Sequence, residues 1–186
     1  MFYADKYFTA AIFFLILSVL VIIKNLASRK PIDFFWLCDL APFLLFAGFL
    51  FHSYPFIRGV INVGLIPQFN TLILLFRKYV SEKRVISVIL HLIPINLALF
   101  FIYNTKPPIS SLFYSLVILF FVFVFTLVFT PKNNNINLIY YLQLDSKDRT
   151  FKLGLPYQKY LWIIYFWLII VLPTFFIQYA LYSFIR

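Results

Sequence analysis

The chain has 186 residues, of which 63% are hydrophobic, 23% aromatic and only 12% charged, with a formal net charge of +10 and a mean hydropathy of +0.94. A soluble domain is about half apolar and about a quarter charged, and no water-soluble fold of this length hides 26 Phe and 13 Tyr. Composition therefore excludes a soluble globular protein and points to an integral membrane protein.

Long apolar runs broken by polar loops predict helices rather than a barrel. Six spans are expected, in a single all-α transmembrane domain covering residues 1–186. The first, Tyr7–Ile23, leaves through KNLASRK, which is basic where a cleavable signal peptide has small residues. The second, Phe34–Phe51, carries the only cysteine of the chain, Cys38, next to Asp39, the one acid well inside a span. The third, Phe56–Phe76, holds Gln68 and Asn70. The fourth, Val85–Tyr103, holds His91. The fifth is Ser110–Thr130, and the polar, Asn-rich stretch 131–158 leads to the sixth, Lys159–Phe184.

Basic residues mark cytoplasmic loops. Lys24, Arg29 and Lys30 follow span one; Arg77, Lys78, Lys83 and Arg84 follow span three; Lys132, Lys147, Arg149, Lys152 and Lys159 follow span five. Only Lys6, Arg58, Lys106 and Arg186 fall on the other side. Both termini are thus expected outside, with loop 131–158 in the cytoplasm. The basic rim faces anionic headgroups. No separate basic domain suggests a nucleic-acid partner.

Intramembrane polar groups are functional candidates by default, with helix–helix hydrogen bonding as the alternative for Asn, Ser and Thr. At 1.5 Å per residue, Cys38 lies about 6 Å from the cytoplasmic entry of its span, and His91 about 9 Å. Gln68 and Asn70 lie about 9 to 12 Å from that same side. Asn133, Asn134, Asn135 and Asn137 open the long loop there. The outer half looks poorer, with His52, Ser53 and Gln178. Proline removes the hydrogen bond to the carbonyl four residues back, so Pro42 frees the carbonyl of Cys38, Pro94 that of Leu90 and Pro67 that of Val63.

A thiol and an imidazole on neighbouring helices can make a nucleophile–base pair, with Asp39 or an Asn as positioning group. Buried Cys is equally a small apolar filler. A lone cysteine excludes a dithiol pair and an intrachain disulfide. No HExxH, GxSxG or GxGD stretch is present, and no paired spacing supports a metal site. No phosphate-cradling Gly loop suggests a nucleotide cofactor.

Four stretches carry a resemblance: FWLCDLAPFLL, GVINVGLIPQFN, LHLIPINLALF and NNNINLIYYL, between Phe35 and Leu142. In order and spacing they resemble the YwaF-like bacterial six-helix membrane proteins, and a related set with a Cys-Asp helix, a His helix and an NIN tripeptide. Trp36 stands where many of that group have a His. The superfamily is distantly similar to eukaryotic ether-phospholipid acyltransferases that use an intramembrane Cys and His. The resemblance implies Cys38 as nucleophile, His91 as base and Asn135 or Asn137 as the Asn segment. It implies a bacterial inner or plasma membrane location.

The leading expectation is a lipid acyltransferase or thioester-forming hydrolase acting on membrane phospholipids. Cys38 and His91 are its catalytic residues, Asp39, Gln68, Asn70, Asn135 and Asn137 its polar pocket, and Arg77, Lys78, Lys83 and Arg84 its headgroup ligands. The alternative is a non-enzymatic subunit or scaffold that assembles with membrane partners or with itself. A small-solute carrier ranks third, because the outer half looks short of polar lining.

Overall fold

The computed structural model describes the backbone of residues 2–27, 37–76, 82–130, 142–145, 150–153 and 157–185. It is a helical bundle. Helices α1 (Phe2–Ala27), α2 (Leu37–Leu50), α3 (Tyr54–Phe76), α4 (Glu82–Ile102) and α5 (Ser110–Phe129) follow one another. The last span is α6 (Gln158–Phe166), a π-helical segment (Trp167–Val171) and α7 (Leu172–Ile185). Three described segments are long and apolar enough to cross a membrane: Lys6–Ala27, Ser110–Phe129 and Tyr160–Ile185. Two shorter apolar helical segments, Leu37–Leu50 and Leu92–Ile102, accompany them.

Between α5 and α6 the chain forms a feature that the sequence does not announce. Strands β1 (Leu142–Asp145) and β2 (Thr150–Leu153) pair antiparallel, Leu142 opposite Leu153 and Asp145 opposite Thr150. The pairing shelters backbone groups that a polar loop would leave to water.

Helix α3 is the axis. It packs on α2, α4, α5, α7 and the π segment, while α1 packs mainly on α2. The helices meet through a core in which Phe14 stacks on Phe49 at 5.2 Å and Phe49 meets Phe101 edge-on at 5.8 Å. Across the bundle, Phe123 stacks on Trp162 at 5.8 Å. Large apolar side chains also face outward, among them Phe8, Phe113 and Phe176. In water such a surface would be penalised; in lipid it is the expected outer face.

Two local devices set helix geometry. The α2–α3 turn is tight: Ser53 N–H donates to the Gly48 carbonyl at 2.9 Å and His52 N–H to that of Phe49 at 3.2 Å. This is a Schellman closure, with His52 at φ 54° in the left-handed position usually given to Gly. His52 also stacks on Tyr7, ring centroids 5.0 Å apart. In the last span, a regular α-helix would drive the ring of Pro173 against the carbonyl of Ile169. The wider π turn just before it takes up that conflict, with Leu172 N–H donating to the Trp167 carbonyl.

Candidate functional site

Among the described residues, polar side chains gather at two places, at opposite ends of the bundle. The first lies where the end of α1 meets the start of α2. Lys24 Nζ donates to both carboxylate oxygens of Asp39, at 2.9 and 2.8 Å. Asn25 Nδ2 donates to Asp39 Oδ2 at 3.0 Å. Asp39 and Asn25 are buried. The placement suits both helix dipoles: a cation in the last turn of α1 and an anion in the first turn of α2. Lys24, which the loop tally assigns to the rim, is thus inside α1 with its charge matched.

Cys38 adjoins this cluster as a free, half-buried thiol. One residue of helix turns the side chain by about 100°, so Cys38 and Asp39 leave α2 in different directions. His91 lies on α4, and α4 packs against α2. The side chains of His91, Gln68, Asn70, Lys83 and Arg84 lie outside the described residues, as do Asn135, Asn137, Arg77 and Lys78 entirely. The expected meeting of Cys38 with His91 and with the Asn segment therefore falls outside what is described. Asp39, expected to orient a base, has its carboxylate bonded to Lys24 and Asn25.

The second place is the end that carries the α2–α3 and α4–α5 turns, and here the sequence reading needs correction. That half is rich in buried polar groups. Arg58, counted above as an outer charge, sits one turn into α3 with only 2% of its surface exposed. Its Nε donates to Tyr54 Oη at 2.8 Å, Nη1 to Gln178 Oε1 at 2.6 Å, and Nη2 to the Ile102 carbonyl at 2.8 Å. Nη2 also donates to the carbonyl of Thr105. The guanidinium thereby caps carbonyls at the C-terminal end of α4, where helical acceptors lack intrahelical donors and a cation is favoured.

The network continues inward. Gln178 Nε2 donates to Asn62 Oδ1 at 2.6 Å, and Asn62 Nδ2 to the hydroxyls of Ser115 at 3.1 Å and Ser111 at 3.3 Å. Ser115 Oγ in turn donates to the Ser111 carbonyl at 2.8 Å. Asn62, Ser111 and Ser115 are fully buried and Gln178 is 1% exposed. Four helices are joined this way: α3, α4, α5 and α7. The close approach needed for it comes from Gly59, where a Cβ would stand 2.9 Å from Tyr114 Cβ and 3.2 Å from the Ser111 carbonyl and the Ser115 nitrogen.

The signal for this second place is present in the sequence. Tyr54, Arg58 and Asn62 are spaced by four, as are Ser111 and Ser115, and such spacings put side chains on one helix face. Counting charges by loop hides the pattern. The two polar centres are not continuous along α1 and α2, where buried Phe14, Leu17, Ala41 and Leu45 lie between them.

A cavity of about 220 Å³ opens beside Arg58, between α4 and α7. Both helices pack on α3 but hardly on each other. Gln178 and Asn96 add polar groups to an otherwise apolar lining that includes Phe100 and Leu181.

Compared with protein families, curated proteins and solved structures, the chain matches none.

Proposed function

We propose that the protein is a six-span integral membrane protein, with both termini outside, that works on membrane phospholipids from within the bilayer through Cys38. The carrying observation is the packing of α2, which bears Cys38, against α4, which bears His91, beside the pair of partly buried Lys24 with buried Asp39. Length supports two of the three remaining spans. At 1.5 Å per residue, the 23 residues of α3 and 21 of α4 reach about 34 and 32 Å, enough for a hydrocarbon core of about 30 Å. With Arg58 and Lys24 withdrawn from the loop tally, the basic excess still favours a cytoplasmic α1–α2 end. A bacterial plasma membrane suits this arrangement.

In the proposed reaction His91 takes the proton of the Cys38 thiol. The thiolate attacks a lipid acyl carbonyl, and the lysolipid oxygen leaves with that proton. A second alcohol or water then accepts the acyl group from the thioester, the step order of covalent catalysis. The test is intact mass after incubation with phospholipid vesicles. A hydroxylamine-labile acyl mass on the wild type, lost in both Cys38→Ser and His91→Ala, supports the reaction. Unmodified protein in all three overturns it.

The second reading is a non-enzymatic membrane subunit. It is favoured by the engagement of Asp39 with Lys24 and Asn25, which ties α1 to α2 as a packing lock would. Unmodified Cys38 together with stable co-purification of another membrane protein is the outcome it expects. The orientation is tested separately: alkaline phosphatase fused after Arg186 should be active if the C-terminus is outside.

A further inference from the structure

Arg58 is the most buried cation among the described residues, and its partners are all neutral: a phenol, an amide oxygen and two backbone carbonyls. The one ion pair described in the protein is between Lys24 and Asp39, at the other end. The end of the α4 dipole supplies roughly half a compensating charge. The guanidinium has five N–H groups. Four are taken by the bonds above, which leaves one on Nη1 without an acceptor among the described residues. A buried charge of this kind is expensive unless something pairs with it.

The cavity between α4 and α7 meets that unfilled requirement. Arg58, Gln178 and Asn96 give it polar groups, Tyr103 and Tyr182 also line it, and its rim includes Phe100, Leu181 and Ile185. These rim residues are 68%, 48% and 55% exposed, so the cavity is open along the outward side of the bundle. In a membrane that side faces acyl chains. A positive floor within an apolar, laterally open groove is complementary to an amphiphile with an anionic head and hydrocarbon tails.

The geometry points to the α4–α7 groove as a binding site for an anionic phospholipid, with its phosphate paired to Arg58 Nη1 and its acyl chains along Phe100, Leu181 and Ile185. The inference rests on the membrane-spanning reading but not on any chemistry at Cys38. It is distinct from the expected headgroup contacts of Arg77, Lys78, Lys83 and Arg84, which border the opposite end of α3 and α4. A zwitterionic lipid presents the same phosphate but neutralises it with its own cation, so the preference comes from the uncompensated charge and is roughly tenfold.

The test is native mass spectrometry of the full chain released from nanodiscs of equimolar dioleoyl-phosphatidylglycerol and dioleoyl-phosphatidylcholine. The wild type should retain phosphatidylglycerol about tenfold over phosphatidylcholine. Arg58→Gln should bring the ratio to parity. Because Arg58 also holds α4, a second variant protects the test: Leu181→Trp fills the groove from its exposed rim and leaves the Arg58 bonds in place. It should abolish the preference too, while Phe113→Trp on α5 should not. Equal retention of both lipids by the wild type overturns the proposal, as does a preference that survives Leu181→Trp. If inorganic phosphate alone displaces the bound lipid at millimolar concentration, the site is one for the free anion and the lipid assignment falls.

Discussion

The Lys24–Asp39 pair makes an asymmetric prediction. Lys24→Met leaves the Asp39 carboxylate in place, 3% exposed and without its cation, while Asp39→Leu leaves Lys24, whose side chain is 20% exposed in the last turn of α1. At 2.8 Å the gross attraction is about 6 kcal/mol at an effective dielectric of 20. Most of that is offset by desolvation. Stranding one buried partner nevertheless costs about 3–5 kcal/mol. The bond from Asn25 Nδ2 at 3.0 Å remains in the Lys24 variant, so its loss should sit at the lower end, about 3 kcal/mol. In the Asp39 variant the lysine stem can swing its ammonium toward the headgroup region, and about 1–2 kcal/mol is expected. The double variant removes both charges and should be no worse than Asp39→Leu alone, because an apolar pair of similar volume replaces a buried ion pair at little cost. The coupling term of the cycle is then about 3 kcal/mol or more. Reversible unfolding in mixed micelles, followed by tryptophan fluorescence, reads all four proteins. A Lys24→Met loss below about 1 kcal/mol, or additive single effects, would show that the pair does not join α1 to α2 and would refute the reasoning.

Three further outcomes follow from particular contacts. Gly59→Ala should cost about 1–3 kcal/mol, because the new Cβ meets backbone atoms of Ser111 and Ser115 at 3.2 Å that cannot step aside. Gly64→Ala should cost less in the same unfolding assay, since its 2.7 Å neighbour is the movable Cδ1 of Ile95. His52→Ala should destabilise by about 1 kcal/mol more than His52→Gly, because both lose the Tyr7 stack but only Ala keeps a left-handed backbone strain. Ser115→Ala should weaken the α3–α5 contact by about 1 kcal/mol, with Asn62 left one acceptor short, and Ser111→Ala, at the longer 3.3 Å bond, should cost less.

Acyl chemistry at Cys38 is decided by the mass measurement above. What the sequence settles by itself is the solvent and the elements. A chain that is 63% hydrophobic must pair its own backbone groups inside lipid, and helices do that residue by residue without reference to the rest of the fold. Hence the long apolar helices at Lys6–Ala27, Ser110–Phe129 and Tyr160–Ile185 are legible from apolar runs, and Asp39 is legible as a costly acid within an apolar run. Which polar groups meet is not a local property. Lys24 and Arg58 read as loop charges because basic residues usually sit at the rim. Only the packing of α1 on α2 gives Lys24 a carboxylate, and only the crossing of α3 with α4, α5 and α7 gives Arg58 its carbonyls and Gln178. Those partners are 15 and 120 residues away along the chain, a separation that periodicity cannot bridge. The groove beside Arg58 has the same origin: two helices that rest on a third without closing on each other leave a gap, and no single helix sequence encodes one.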